Sequence, residues 1–468
     1  MSKKNHLFRS DSPDFLPGTS FVGEITGYTH RGLGVTRQKG RVVFVPGLLY
    51  GEKAEITISG AKKGVLLGTV KKLLRASPHR VAPPCPYFQE CGGCALQHMD
   101  YRQQLRLKEE TVANTLRRVG GFNNLSAALR PIVSMSNPYH YRNKGIFRLY
   151  TTPDGDCHLG FLAEHSHTIA SGRCTLLFPV AVNELLERLE QHLNRNKAFP
   201  VTALRGVLAR VSFSDNTLML ILLTNGTLTA AQQQATAALW ENLRREEPRL
   251  RVFGYTPLER GGPNFRRLTL ISSQSVIYER LRGIEYAISP ASFFQVNPLQ
   301  TTAMLDALEA FLPSKSFQLI DAYSGIGTIG LALSRRADRV DCIEIVPEAV
   351  ADARANCRRN QLTTVRCHLG KAEELFQAVS RDLPTHQEKV VIVDPPRKGC
   401  HQQLLRSILD FAPDRLLYVS CNPATLARDL AILSVDYTID AVQPFDLFPQ
   451  SYHVETICAL SKRNAPNK

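Results

Sequence analysis

Four apolar runs in the last third of the chain each stop on a polar or reactive residue. Phe317-Gln318-Leu319-Ile320 ends at Asp321, Val340-Asp341-Cys342-Ile343 at Glu344, Val391-Ile392-Val393 at Asp394, and Leu416-Leu417-Tyr418-Val419-Ser420 at Cys421. From about residue 291 such runs alternate with helix-length segments at βαβ spacing. That spacing predicts an α/β fold with a mostly parallel sheet and helices on both faces. Sheets of this kind bind ligands at the carboxyl ends of their strands, where these polar residues would gather. The helix predicted over 347–360 begins on Pro347, a residue that the first helical turn tolerates.

Cys421 is placed like a nucleophile, on a strand end with a helix behind it whose N-terminus should favour thiolate over thiol. Asp321-Ala322-Tyr323-Ser324-Gly325-Ile326-Gly327 is a glycine-rich turn fed by a strand, and Glu344 closes the next strand where a ribose diol would lie. By chemistry these features fit NAD and S-adenosylmethionine equally. The third glycine of a dinucleotide fingerprint is replaced here by Ile329-Gly330 in shifted register. S-adenosylmethionine has no phosphate for such a turn to cradle, so the methyl donor is favoured.

The charge balance says what the site could act on. The 468 residues, enough for two to four domains, carry a net charge of +15. Residues 1–80 hold 14 Lys and Arg against 5 Asp and Glu, so most of the excess lies there. A polyanion is therefore expected to meet the N-terminal part. Residues 17–75 alternate short β-rich runs with glycine turns, the pattern of a small OB-like barrel. Lys53, Lys62, Lys63, Lys71 and Lys72 lie on it, which suits an RNA-binding module, with a structural spacer as the alternative.

Cys85-Pro86-Tyr87-Phe88-Gln89-Glu90-Cys91-Gly92-Gly93-Cys94 gathers three cysteines around two glycines, a spacing that points to a metal or cluster site. A fourth thiolate would come from Cys157 or Cys174, and spacing alone does not separate zinc from an iron–sulfur cluster. Eleven cysteines scattered over a long chain disfavour a secreted disulfide framework. No run approaches a membrane span. A soluble, unexported protein in a reducing cytoplasm is expected. Residues 97–119 read as a charged helix, and 131–290 as mixed strands and helices. In that stretch Tyr139-His140-Tyr141-Arg142-Asn143-Lys144 is a basic-aromatic patch suited to bases and phosphate.

Taken together, Ser420-Cys421-Asn422-Pro423-Ala424-Thr425-Leu426-Ala427-Arg428-Asp429, Asp394-Pro395-Pro396-Arg397-Lys398-Gly399, Phe293-Phe294-Gln295-Val296-Asn297 and His453-Val454-Glu455 resemble the RNA (uracil-5-)-methyltransferase family. The cysteine set and the N-terminal barrel, similar to a TRAM domain, resemble the iron–sulfur members that modify 23S rRNA. The resemblance spans about residues 17–461. It implies a Rossmann-like class I methyltransferase domain at 291–468, an α+β iron–sulfur and RNA-binding central domain at 76–290, and the barrel at 17–75.

Carried to matching positions, the resemblance implies Cys421 as nucleophile and Glu455 as proton acceptor. It implies Gln295, Tyr323, Glu344 and Asp394 as contacts for S-adenosylmethionine, and Cys85, Cys91, Cys94 and Cys174, but not Cys157, as ligands of a [4Fe-4S] cluster. The chain departs from the pattern at Thr328, where many members have Asn, and at Ser324, where many have Cys. Cys367-His368-Leu369-Gly370-Lys371 offers no clear polar partner for the adenine. The expected reaction is C5-methylation of a uridine in RNA through a covalent bond from Cys421 to uracil C6, with Phe293 and Phe294 as candidate stackers on the extruded base. The expected partner is RNA, 23S rRNA first and the tRNA T-loop second, with the chain acting as a monomer and no membrane involved. The rival from another class is an RNA-binding or assembly protein that keeps an inert methyltransferase fold.

Overall fold

The computed structural model describes residues 13–163, 168–170, 172, 174–195, 200–384 and 386–463. The C-terminal sheet has seven strands in the order Val365–Leu369, Arg339–Glu344, Phe317–Ala322, Glu388–Val393, Arg415–Ser420, Glu455–Lys462, Tyr437–Phe445. The first five run parallel; Glu455–Lys462 pairs antiparallel with Arg415–Ser420, and Tyr437–Phe445 antiparallel with Glu455–Lys462, which leaves Glu455–Lys462 as the one reversed strand of this sheet. Strand order reverses between Phe317–Ala322 and Glu388–Val393, so a crevice opens beyond their carboxyl ends.

Both faces of this sheet are covered, as the uninterrupted apolar runs require. Leu319, Val340, Ile392, Leu417 and Val419 pack into one core with Met304, Leu305 and Leu308 of helix Pro298–Ala310. Their neighbours Ile320, Ile343, Val391, Leu416 and Tyr418 enter another, with Phe376, Leu404 and Leu430 of three further helices. Val112 and Leu116, from helix Tyr101–Gly120, join that second core. The expected helix at 97–119 is therefore docked against the C-terminal domain, and begins at Tyr101 under an Asp100 cap. The helix expected over 347–360 spans Pro347–Arg359.

A second sheet runs Gly262–Pro263, Leu250–Glu259, Leu218–Thr224, Leu204–Val211, Lys144–Thr151, Cys157–Gly160. Helices Val180–Arg195 and Ala230–Glu246 cover one of its faces. The opposite face sends Leu208, Met219, Ile221 and Val252 into the core it shares with the C-terminal sheet. The two sheets are thereby packed together around a single apolar volume.

The N-terminal strands form a six-stranded sheet in the order Ser20–Glu24, Lys53–Lys62, Val65–Arg75, Arg41–Val45, Gly34–Gln38, Gly27–Tyr28. Alternate residues such as Val43, Val45, Ala54, Ile56 and Ile58 are buried. Lys53, Lys62, Lys63, Lys71 and Lys72 are all exposed, with Lys71 paired to Glu55 at 2.7 Å. Buried Glu52 joins this sheet to the following segment, accepting from Arg80 Nε at 2.6 Å and from the Ser77 N–H at 3.1 Å.

Candidate active site

A cavity of about 1140 Å³ lies between the two larger sheets, at the strand ends where the C-terminal sheet reverses order. Gln295, Tyr323, Glu344, Asp394, Cys421 and Glu455 all line it. Six residues spread from 295 to 455 in the sequence thus meet at one place. The opposite wall comes from the central sheet, through the turn from Glu259 to Arg266.

The glycine-rich turn explains its own composition. Tyr323, Gly325 and Gly327 have φ of 65°, 57° and 83°, the left-handed region that glycine enters without penalty. Glu344 reaches back across the turn: its Oε2 accepts from the Gly325 N–H at 2.9 Å, and its Oε1 from the Ile345 and Val346 N–H groups at 2.8 Å each. The Gly330 N–H donates to Asp321 Oδ2 at 2.8 Å, and a Cβ at Gly330 would lie 2.9 Å from that oxygen. Shifting the third glycine therefore lets helix Thr328–Leu333 close on its strand. Asp321 Oδ1 is buried without a partner, and burial pushes that carboxyl up to about 8. Asp321 thus stands at its strand end in the cavity wall with one carboxylate oxygen unpaired.

Cys421 follows strand Arg415–Ser420 and precedes helix Pro423–Leu433, whose cap is Asn422. The expectation that the helix N-terminus favours thiolate is not met in the free enzyme. Burial first, then the charges of Glu455 and Asp394, push the Cys421 thiol up to about 11, with Arg397 opposing them. Glu455 is fully buried, its Oε1 has no hydrogen-bond partner, and its carboxyl is held well above the usual range by burial and by Asp394. Burial likewise raises Asp394 to about 7. Gln295 Nε2 reaches Asp394 Oδ2 at 3.5 Å. Two carboxyls and one thiol thus stand together in one cavity wall, and burial makes all three resist ionisation.

Arg397, which the sequence reading passed over, lines the same cavity and bears on Cys421, Glu455 and His453. Its loop is fastened to the helix after Cys421: the Arg397 carbonyl accepts from Asn422 Nδ2 at 2.9 Å, and the Lys398 carbonyl from Arg428 Nη2 at 3.0 Å. The only available signal was its place in the Asp394-Pro-Pro-Arg397 run.

The segment leading into Glu455 is held from the central region. Lys108 Nζ, 1% exposed, meets Asp446 Oδ1 at 2.5 Å and the Phe448 carbonyl at 3.0 Å. Tyr101 Oη donates to Asp446 Oδ2 at 2.8 Å, and Gln104 pairs with Gln450 through Nε2 at 3.0 Å. Tyr141 Oη donates to the Pro449 carbonyl at 3.0 Å. These bonds fix Phe448 and His453 in the cavity wall.

Two aromatic expectations separate here. Phe293 is 65% exposed on the cavity rim, whereas Phe294 is 1% exposed and packs on Tyr286, so Phe294 is core and cannot stack on a base. The patch at 139–144 also divides. Tyr141 and Asn143 are buried, and Asn143 Nδ2 donates to the Gln295 carbonyl at 3.0 Å.

Cys85, Cys91, Cys94 and Cys174 act on one another. Burial, then Cys174, Cys91 and Cys85, push the Cys94 thiol up to about 12. The Cys174 thiol rises to about 11 through burial, with Cys91 and Cys85 adding to it. The Gly93 N–H points to Cys91 Sγ at 3.3 Å. Among the described residues, no group of three or more His, Cys, Asp or Glu side chains is arranged to hold a metal ion. Cys157 stands on strand Cys157–Gly160, its backbone bonded to the Asn194 side chain.

A model of the tRNA (uracil-5-)-methyltransferase family matches residues 100–463, and one of the TRAM domain matches residues 18–71. The chain belongs to the tRNA (uracil-5-)-methyltransferase family. An uncharacterized RNA methyltransferase of Halalkalibacterium halodurans is 37% identical, with 94% of this chain and 96% of the relative covered. Another, from Caldanaerobacter subterraneus, is 36% identical over 95% of this chain and 98% of its own length. Among solved structures, the Pyrococcus abyssi tRNA (uracil-54, C5)-methyltransferase in complex with S-adenosyl-L-homocysteine aligns with a TM-score of 0.72 and 25% identity, covering 96% of this chain and all of that one. This uracil-5-methyltransferase is thus a Rossmann-like, S-adenosylmethionine-dependent RNA-modifying enzyme with a TRAM domain. The reading as an inert binding protein falls away. No helix among its described residues is long and apolar enough to cross a membrane.

Proposed function

We propose that this enzyme methylates C5 of a uridine in 23S rRNA through a covalent bond between Cys421 and uracil C6. The observation that carries the reading is the meeting of Cys421, Glu455, Asp394 and Gln295 in one cavity at the strand-order reversal. Uracil C5 is a poor nucleophile. A thiolate adding to C6 turns the ring into an enolate whose C5 can attack an electrophile. S-adenosylmethionine, when bound, supplies that electrophile as a methyl group. The cavity fits it: Glu344 stands at the strand end for the ribose diol, Gln295, Tyr323 and Asp394 line the space beside it, and Asp321 leaves a polar atom free. Once C5 carries both methyl and proton, Glu455 removes the proton and the bond from Cys421 to C6 breaks. Phe293, exposed on the rim, stacks on the extruded base.

The remaining parts follow the same reading. Residues 17–75 are an OB-like RNA-binding barrel, 76–290 the central domain, and 291–468 the methyltransferase domain, in a monomer of the cytoplasm. Cys85, Cys91, Cys94 and Cys174 hold a [4Fe-4S] cluster that fastens the loop at 85–94 to the segment at Cys174. Cys91, Cys94 and Cys174, each raised by burial and by neighbouring thiols, support this, because a cationic centre is what would let them ionise together. Anaerobically purified protein is expected to be brown and to hold about four irons per chain. Stoichiometric zinc without iron would overturn the assignment.

Methylation of the tRNA T-loop by the same chemistry is the second reading, favoured by the full-length similarity to the Pyrococcus abyssi tRNA enzyme. Mapping 5-methyluridine in rRNA and tRNA from cells with and without the protein tests both. A site lost only from 23S rRNA supports the first reading, and one lost only from tRNA replaces it with the second.

A further inference from the structure

Lys144 and Arg210 stand directly opposite each other on the antiparallel strands Lys144–Thr151 and Leu204–Val211. Opposite residues share a face, and two positions along, Ile146 and Leu208 on that face join the core shared with the methyltransferase sheet. The two cations therefore point toward the methyltransferase domain. Arg210 is 1% exposed; its Nη2 donates to the Ser292 carbonyl at 2.8 Å and its Nη1 to the Ser289 carbonyl at 3.3 Å, while its Nε has no partner. Ser292, Phe293 and Gln295 line the active-site cavity, so the pair lies behind its rim.

Like charges placed opposite each other on a sheet are destabilising, and the neighbouring charge does not balance them. Asp352 bears on Arg210, but its carboxylate is also bonded to the Ser289 and Ser292 hydroxyls. Lys144 is half-buried and makes no ion pair among the described residues. Burial and Arg210 hold its ammonium down to about 7, with no carboxylate raising it. A cation kept in this position, with a second one behind it, lacks an anion.

The geometry points to Lys144, backed by Arg210, as a binding site for a backbone phosphate of the RNA strand that carries the target uridine to the cavity. Of the other polar side chains in the 139–144 run, Arg142 Nε donates to the Lys144 carbonyl and its guanidinium lies over the Phe178 ring, and His140 Nδ1 lies 2.9 Å from the Phe178 carbonyl. Lys144 is thus the member of that run left for phosphate. The inference rests on the reading that the substrate is RNA.

The test compares wild type, Lys144→Met and Lys144→Arg for binding of 23S rRNA fragments and tRNA from cells lacking the protein, over a series of salt concentrations. Lys144→Met is expected to bind RNA weaker by on the order of ten-fold and to flatten the slope of log K against log salt by about 0.7, as for one lost phosphate contact on a single strand. Lys144→Arg should restore both. S-adenosylmethionine binding should be unchanged, and the melting temperature of Lys144→Met should equal or exceed that of wild type, because a like-charge pair is relieved. Unchanged RNA affinity and slope in Lys144→Met overturn the phosphate site. So does a loss confined to S-adenosylmethionine, which would assign the cation to the donor's carboxylate. A wild type that binds neither RNA would instead defeat the reading on which the inference rests.

Discussion

Replacing Cys421 by alanine is expected to lower methyl transfer by roughly 10⁴-fold or more, the scale on which losing a covalent nucleophile acts. S-adenosylmethionine binding should survive, because the proposed donor contacts Gln295, Tyr323, Glu344 and Asp394 come from other strand ends and from the loop before helix Pro298–Ala310. RNA carrying 5-fluorouridine should trap the wild type as a complex stable to denaturation, since fluorine at C5 cannot leave as a proton does. Cys421→Ala should form no such complex. The position of the thiol adds a pH signature. With its pKa pushed up to about 11, Cys421 of the free enzyme is overwhelmingly protonated at neutral pH. Its alkylation should therefore be slow at pH 7 and quicken steadily up to that value. A Cys421→Ala enzyme that methylates at the wild-type rate would end the covalent mechanism.

The backbone of this site was legible in the sequence, because an apolar run that stops on a polar residue is a local signal. Asp394, Glu344 and Cys421 could each be placed on a strand end without knowing which strands are neighbours. What could not be read is what depends on neighbours. The thiolate expected at Cys421 rests on the helix that follows it; burial, together with Glu455 and Asp394 brought alongside by the sheet order, outweighs that helix. Phe293 and Phe294 are adjacent and chemically identical, and only the packing of Tyr286 decides that one is core and the other rim. The run from Tyr139 to Lys144 reads as a basic-aromatic patch, yet Tyr141 and Asn143 are buried while Arg142 and Lys144 are only partly so, as a strand begins. The turn at 259–266 carried no motif at all, and it enters the site because the central sheet shares a core with the methyltransferase sheet.

Glu455→Gln should separate the two halves of the reaction that Cys421→Ala abolishes together. Glutamine nearly preserves the shape of a fully buried side chain but removes the base, so the bond to C6 should form and the methyl group should transfer. Loss of the C5 proton should then slow by roughly 10²- to 10⁴-fold, the range for a missing general base. The variant is expected to accumulate a methylated protein–RNA adduct on ordinary uridine, visible as a shifted band in a denaturing gel. The electrostatics set the direction with pH. Burial, and then Asp394, raise the Glu455 carboxyl well above the usual range, and the two titrate as a pair. In the wild type, adduct breakdown should speed up as pH rises and the pair gives up a proton, whereas in Glu455→Gln that rise should be lost. The expected adduct must vanish from Glu455→Gln,Cys421→Ala. If Glu455→Gln turns over like wild type with no adduct, the proton goes elsewhere, and Asp394, the other raised carboxyl of the cavity, becomes the base to test.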